Sequence, residues 1–113
     1  MKQRMQEELL ESLYAIFPTF QVAWREEEDE QEEAYRSYSL HSVYLSFLPY
    51  LGRAAATPKQ FCRLAALVNA EVDKGGDSEN AVATCFLEHL RQVGLTKALR
   101  PSLSAQGRLR LHA

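Results

Sequence analysis

Cysteine is scarce: Cys62 and Cys85 are the only two in 113 residues. Two cysteines cannot build the disulfide-dense framework of a small secreted domain. They form no C-x-x-C pair, and no zinc-ligand spacing surrounds them. Five glycines and four prolines exclude a fibrous or low-complexity chain. No apolar run approaches the ~20 residues that a membrane helix needs. The first residues, MKQRMQEELLESLY, carry Glu7, Glu8 and Glu11 among the leucines, which is no secretory signal, so the expected compartment is cytoplasmic. A glycine-rich phosphate loop, G-x-S-x-G and H-E-x-x-H are all missing. The expectation is a protein that is not an enzyme and takes no metal and no cofactor. What is present is ordinary for a globular domain, 46% apolar and 25% charged, and reads as a single domain over 1–113.

The charge is unevenly placed. Residues 1–35 carry three basic and ten acidic side chains, and residues 36–113 carry ten basic and five acidic. Seven of the eight positions 26–33 are acids: Glu26, Glu27, Glu28, Asp29, Glu30, Glu32 and Glu33. Such a block repels itself and stays solvated. It reads either as an exposed loop or as the start of a helix running into Tyr35, and never as core. Its functional reading is a docking surface for a basic partner, and its bland reading is a solubilising loop. Contiguous acids lack the alternating ligand spacing of a calcium loop. Trp24 and Phe20 border the block, as hot-spot aromatics or as packing that pins the segment down.

Elsewhere the pattern is helical. Met5, Leu9, Leu10, Leu13, Ile16 and Phe17 make an amphipathic stripe over 2–17, and Pro18 stops it. Phe20, Val22 and Trp24 alternate with other residues and suggest a short extended or irregular stretch. A second helix is expected over 36–51, burying Leu40, Val43, Tyr44, Phe47 and Leu51, with a kink or early end at Pro49 and Gly52 at its close. Thr57-Pro58 is a start signal for a third helix reaching about Lys74, with Phe61, Leu64, Ala65, Val68 and Val72 inside. Gly75-Gly76 ends it. A fourth helix, capped by Asp77 or Ser78, is expected to run to about Val93 on a stripe of Val82, Cys85, Phe86, Leu90 and Val93, closed by Gly94. Phe86, central in that stripe, is expected to touch Phe61 or Phe47. Residues 101–113 read as a flexible tail or a short strand around Arg108–Leu111. The fold class is all-α, an antiparallel bundle of four to five helices.

Chemistry-bearing residues are few. Both cysteines lie close to apolar stripes and read as reduced, buried and inert. A Cys–His nucleophile would need Cys85 beside His41, His89 or His112, and no motif supplies an orienting acid or oxyanion donor. Glu88 reads as structural. Arg108 and Arg110 offer a basic pair, but without interleaved aromatics and in a chain of net charge −2 they argue weakly for nucleic acid.

The segment Asp77–Leu90, DSENAVATCFLEHL, together with the Ile16-Phe17-Pro18 turn, a helix like Phe61–Lys74 and the Gly76-Asp77 turn, resembles a bacterial family of small helical proteins. That family is similar to immunity proteins encoded beside polymorphic toxins. The resemblance implies binding and neutralisation of a cognate toxin domain by protein–protein contact, with no membrane partner. The acidic block and the Arg-rich tail depart from the family pattern. A dense carboxylate surface steers a basic partner into fast association. The expected partner-binding residues are Trp24, Glu26, Glu27, Glu28, Asp29, Glu30, Glu32, Glu33 and Tyr35. The other reading is a helical adaptor or structural subunit of a larger assembly.

Overall fold

The structure, a computed structural model, describes residues 2–30 and 39–111, with side chains over 4–27 and 39–111. Its elements are α1 (Lys2–Ile16), α2 (Phe20–Glu30), α3 (Leu40–Arg53), α4 (Pro58–Lys74), α5 (Gly76–Cys85), a 3-10 segment Leu87–Val93, α6 (Thr96–Leu99), a 3-10 turn Arg100–Ser102 and α7 (Ala105–Leu109). The regular elements among the described residues are all helical, with no strand. The radius of gyration, 13.3 Å, is that of one compact globule of this length.

The stripe of α1 buries Leu9, Leu10, Leu13 and Ile16 against α3 and α4. Buried Gln6 ties α1 to the start of α3, its amide donating 3.1 Å bonds to the Ser39 carbonyl and to Ser42 Oγ. At the other end of α1, Gln60 Nε2 donates to the Ile16 carbonyl at 2.9 Å. Gln60 also completes the cap that Thr57 begins. Its backbone amide donates to Thr57 Oγ1 at 3.2 Å, and Oε1 accepts from the Thr57 amide at 2.9 Å.

Helix α5 packs between α3 and α4. Ala81, Val82 and Ala83, three consecutive residues, are all fully buried. A helix enclosed on more than one face needs no strong stripe, and small side chains let its neighbours approach. The aromatic centre lies beside it: Phe47 has its ring centroid 5.0 Å from Phe20, 5.4 Å from Phe17 and 5.9 Å from Phe86. The rings meet at tilted and edge-on angles, as their quadrupoles favour. Phe86 therefore reaches Phe47, as its stripe implies, and also Tyr44 at 5.8 Å.

Several sequence expectations are corrected. Phe20, Val22 and Trp24 are helical, part of α2, because Phe20 and Trp24 are four residues apart and both turn inward. The acids Glu26–Glu30 continue that helix. Helix α3 starts at Leu40 behind a Ser39 cap and passes through Pro49 to Arg53. The carbonyl that Pro49 leaves without a donor belongs to Leu45, a residue 58% exposed, so it sits on the wet side of the helix. Gly52 is no cap but a close approach: a Cβ there would lie 3.0 Å from Val93 Cβ and Cγ1. Gly52→Ala is therefore expected to destabilise by about 1 kcal/mol despite alanine's better helix propensity. Chemical denaturation checks this, and a gain in stability would contradict it.

The expected fourth helix is broken. It begins at Gly76, directly behind Gly75, both at positive φ (54° and 67°), rather than at an Asp77 or Ser78 cap, and it ends at Cys85. Phe86 swings to φ −127°, ψ −68°, and a 3-10 segment follows. The tighter screw eclipses residues three apart, so Leu87 and Leu90 both point into the core. Gly94 closes this segment in the left-handed region, at φ 72°. The tail is neither strand nor frayed over the described residues. Ser104 caps α7, and Asn69 of α4 holds the turn, donating to the Ser102 carbonyl at 3.1 Å and accepting from the Ser104 amide at 2.8 Å.

Candidate functional site

The described part of α1 and α2, residues 2–30, carries three basic and eight acidic side chains. Glu7, Glu8 and Glu11 of α1 and Glu26 of α2 are exposed. Between the two helices runs a shallow groove of about 250 Å³ with Glu7 and Glu11 on one wall and Gln21 and Arg25 on the other. Tyr14 and Trp24 also line it. The amphipathic spacing of α1 places its leucines inward and leaves its acids on this face, while Phe20 and Trp24 fix the roll of α2.

The expected partner-binding residues divide accordingly. Trp24 is 7% exposed, its ring 6.4 Å from that of Phe20, so it is first a packing residue, with little surface left for the groove it lines. Glu26 is exposed, and half-buried Glu27 is turned to α3, where its carboxylate accepts from Ser46 Oγ. Glu28, Asp29 and Glu30 fall on the last turn of α2. Glu32, Glu33 and Tyr35 lie outside the described residues. Carboxylates at a helix C-terminus oppose the negative end of its dipole. The acids thus sit where they do not help the helix.

Of the three histidines considered for Cys85, the structure brings His41, with Nδ1 2.9 Å from Sγ. His89 Nδ1 instead meets Gln92 Nε2 at 2.9 Å, and His112 lies outside the described residues. Cys62 corrects the expectation of two buried thiols. It is exposed, about 100° round α4 from Phe61 and off the apolar stripe. Alkylation of the native protein is expected to label Cys62 quickly and half-buried, hydrogen-bonded Cys85 several-fold more slowly. Equal rates would contradict the placement. Arg108 serves the tail's own backbone, donating to the Arg100 and Pro101 carbonyls at 3.2 and 3.1 Å, and Arg110 lies 3.9 Å from Glu79.

Glu71 escaped the sequence reading, and Tyr44, placed inside as its stripe implies, carries a buried hydroxyl. Glu71 is 3% exposed and shares an ion pair with Lys74, whose side chain is 60% exposed. The signal was its spacing, seven residues after Leu64 and so on the buried face of α4. Tyr44 is 2% exposed, and its hydroxyl finds no partner among the described residues. Burial pushes its phenol well above the ordinary value, and the Glu71 charge pushes the same way. A folded-state pKa above the unfolded one, near 10, contributes stability that is complete below about pH 10 and is lost as pH climbs through the raised value. Tyr44→Phe is expected to add about 1 kcal/mol at neutral pH by removing an unpaired buried hydroxyl. It should also remove this part of the alkaline loss. Urea titrations at pH 7 and pH 10.5 test both, and a destabilised variant would contradict them.

The described residues contain no group of three or more potential metal ligands, and no helix among them is long and apolar enough to cross a membrane. Comparisons with family models, with curated proteins and with solved structures find no match.

Proposed function

We propose that this chain is a non-catalytic cytoplasmic protein that captures a basic partner on the acidic face of α1 and α2, and that the partner is a toxin domain held inactive by the contact. The observation that carries this reading is the face itself. Exposed Glu7 and Glu11 line a groove shared with Tyr14 and Trp24, and α2 carries exposed Glu26 and runs on through Glu28, Asp29 and Glu30. Carboxylates of this density raise the encounter rate with a positive surface, and the aromatic rings offer desolvated contact once docked. The resemblance of Asp77–Leu90 to immunity-type families supplies the toxin.

A second reading, a helical adaptor in a larger assembly, draws on exposed apolar side chains away from the acids. Leu109 on α7 is 84% exposed and Leu45 on α3 is 58% exposed. One experiment separates the two. The partner is captured from the native cells and expressed alone in a bacterial host, then together with this chain. Growth arrest by the partner, relieved by co-expression, is the expected result. A partner without effect on growth would overturn the toxin assignment and favour the adaptor.

A further inference from the structure

On the opposite flank of α1 from the groove lies a deeper cleft of about 380 Å³, bounded by α1, α4 and the starts of α3 and α5. Its walls mix apolar and polar side chains, with Met5, Leu9, Leu40 and Leu67 supplying the apolar part. Its polar groups are Glu8 and Ser12 on α1, Glu71 and Lys74 on α4, and Ser78 on α5. Glu71 decides its chemistry. The carboxylate is 3% exposed, yet among the described residues its partner is the Lys74 ammonium. An ionised carboxylate has about four acceptor positions, and a buried one is stabilised by filling them. Lys74 comes from solvent, three residues along the same helix, and holds the site as a tethered cation. The cleft therefore already accepts an ammonium group, from its own chain.

From this geometry we infer that the cleft is an anchor site for a cationic side chain, arginine or lysine, of the protein partner. The inference deepens the partner-binding reading and rests on it. A guanidinium brings several N–H donors to a carboxylate now paired with an ammonium, and can do so in a bidentate way. The leucine walls suit the methylene stem that leads to such a head group. Glu8, exposed at the rim and paired with Arg4 Nε at 3.3 Å, places a second carboxylate on the way in. In docking, the incoming cation displaces Lys74 from Glu71, and Lys74 swings to solvent. No covalent step is involved.

The test uses small probes on the whole chain. Agmatine, Nα-acetyl-arginine amide and the neutral N-butylacetamide are titrated into isotope-labelled protein and followed by amide chemical shifts. The arginine amide, which presents its guanidinium from a peptide backbone as a partner would, is expected to give saturable shifts at Leu9, Leu67, Glu71 and Ser78. Its Kd should be on the order of 1–10 mM, as ligand efficiency allows for so few atoms. N-butylacetamide should give none. Lys74→Met, which removes the internal competitor, should tighten binding at least about 5-fold, and Glu71→Gln should abolish it. Lys74→Met keeps the test decisive if Glu71→Gln does not fold. Absence of saturable shifts in both wild type and Lys74→Met would overturn the cleft. Binding of agmatine with exclusion of the arginine amide would overturn the assignment to a partner side chain and leave a site for a free amine. Either failure would leave the growth-rescue result standing, so the two proposals fall separately.

Discussion

Replacing Phe47 with alanine is expected to cost about 3–5 kcal/mol, the loss typical of a buried phenylalanine. The ring is fully buried on α3, and it touches Phe17 at the end of α1, Phe20 on α2 and Phe86 at the α5 break. Tyr50, one turn along α3, stacks at 5.9 Å. Truncation removes the transfer energy of the ring and leaves a cavity that four surrounding rings, each fixed to a different backbone segment, cannot collapse into. Total stabilities of such domains are about 5–15 kcal/mol, so the variant should lie near its unfolding midpoint at modest urea. Equilibrium unfolding checks it: the midpoint should fall steeply while the slope is unchanged. A loss under about 1 kcal/mol would mean that the aromatic centre is not packed as described.

A second large effect is expected at the acids. Glu26→Gln, Glu28→Gln, Asp29→Asn and Glu30→Gln together remove four charges from the last turns of α2 and spare Glu27, which is bonded to Ser46. Stability should hold or rise, because each of these carboxylates opposes the helix dipole and its neighbours, by about 0.3–1 kcal/mol apiece at low salt. Association with the captured partner should slow by about 10-fold or more at low ionic strength, because long-range steering scales with the charge presented. The difference should vanish near 1 M salt, where the Debye length is about 3 Å. Stopped-flow kinetics across salt concentrations would read it. Equal rates for variant and wild type at low salt would reduce the block to a solvated surface.

The helical class was legible because stripes such as Leu9–Leu13–Ile16 and Leu64–Val68–Val72 repeat with the period of a helix and meet Pro18, Thr57-Pro58 and Gly94 at their ends. What escaped has physical reasons. Phe20 and Trp24 fit a helix period as well as an alternation, and over so short a stretch only tertiary packing decides. Pro49 breaks a ladder only if the orphaned carbonyl is dry, and exposure cannot be read from one sequence. The break at Cys85 left no mark in the pattern, because Phe86, Leu87 and Leu90 would share one face of an unbroken α-helix as well. The acidic face was half legible: the block stood out in the chain, whereas its continuation onto Glu7 and Glu11 required knowing that α1 and α2 are neighbours. Glu71 was hidden by its type, since an acid on an apolar face reads as exposed until the fold encloses it.

The most direct test of the acidic face is amide hydrogen exchange of the chain, free and in complex with its captured partner. The account predicts added protection along Glu7–Tyr14 and Gln21–Glu27, with the basic end at α6 and α7 exchanging as in the free protein. Protection confined to α6 and α7, with α1 and α2 unchanged, would contradict it.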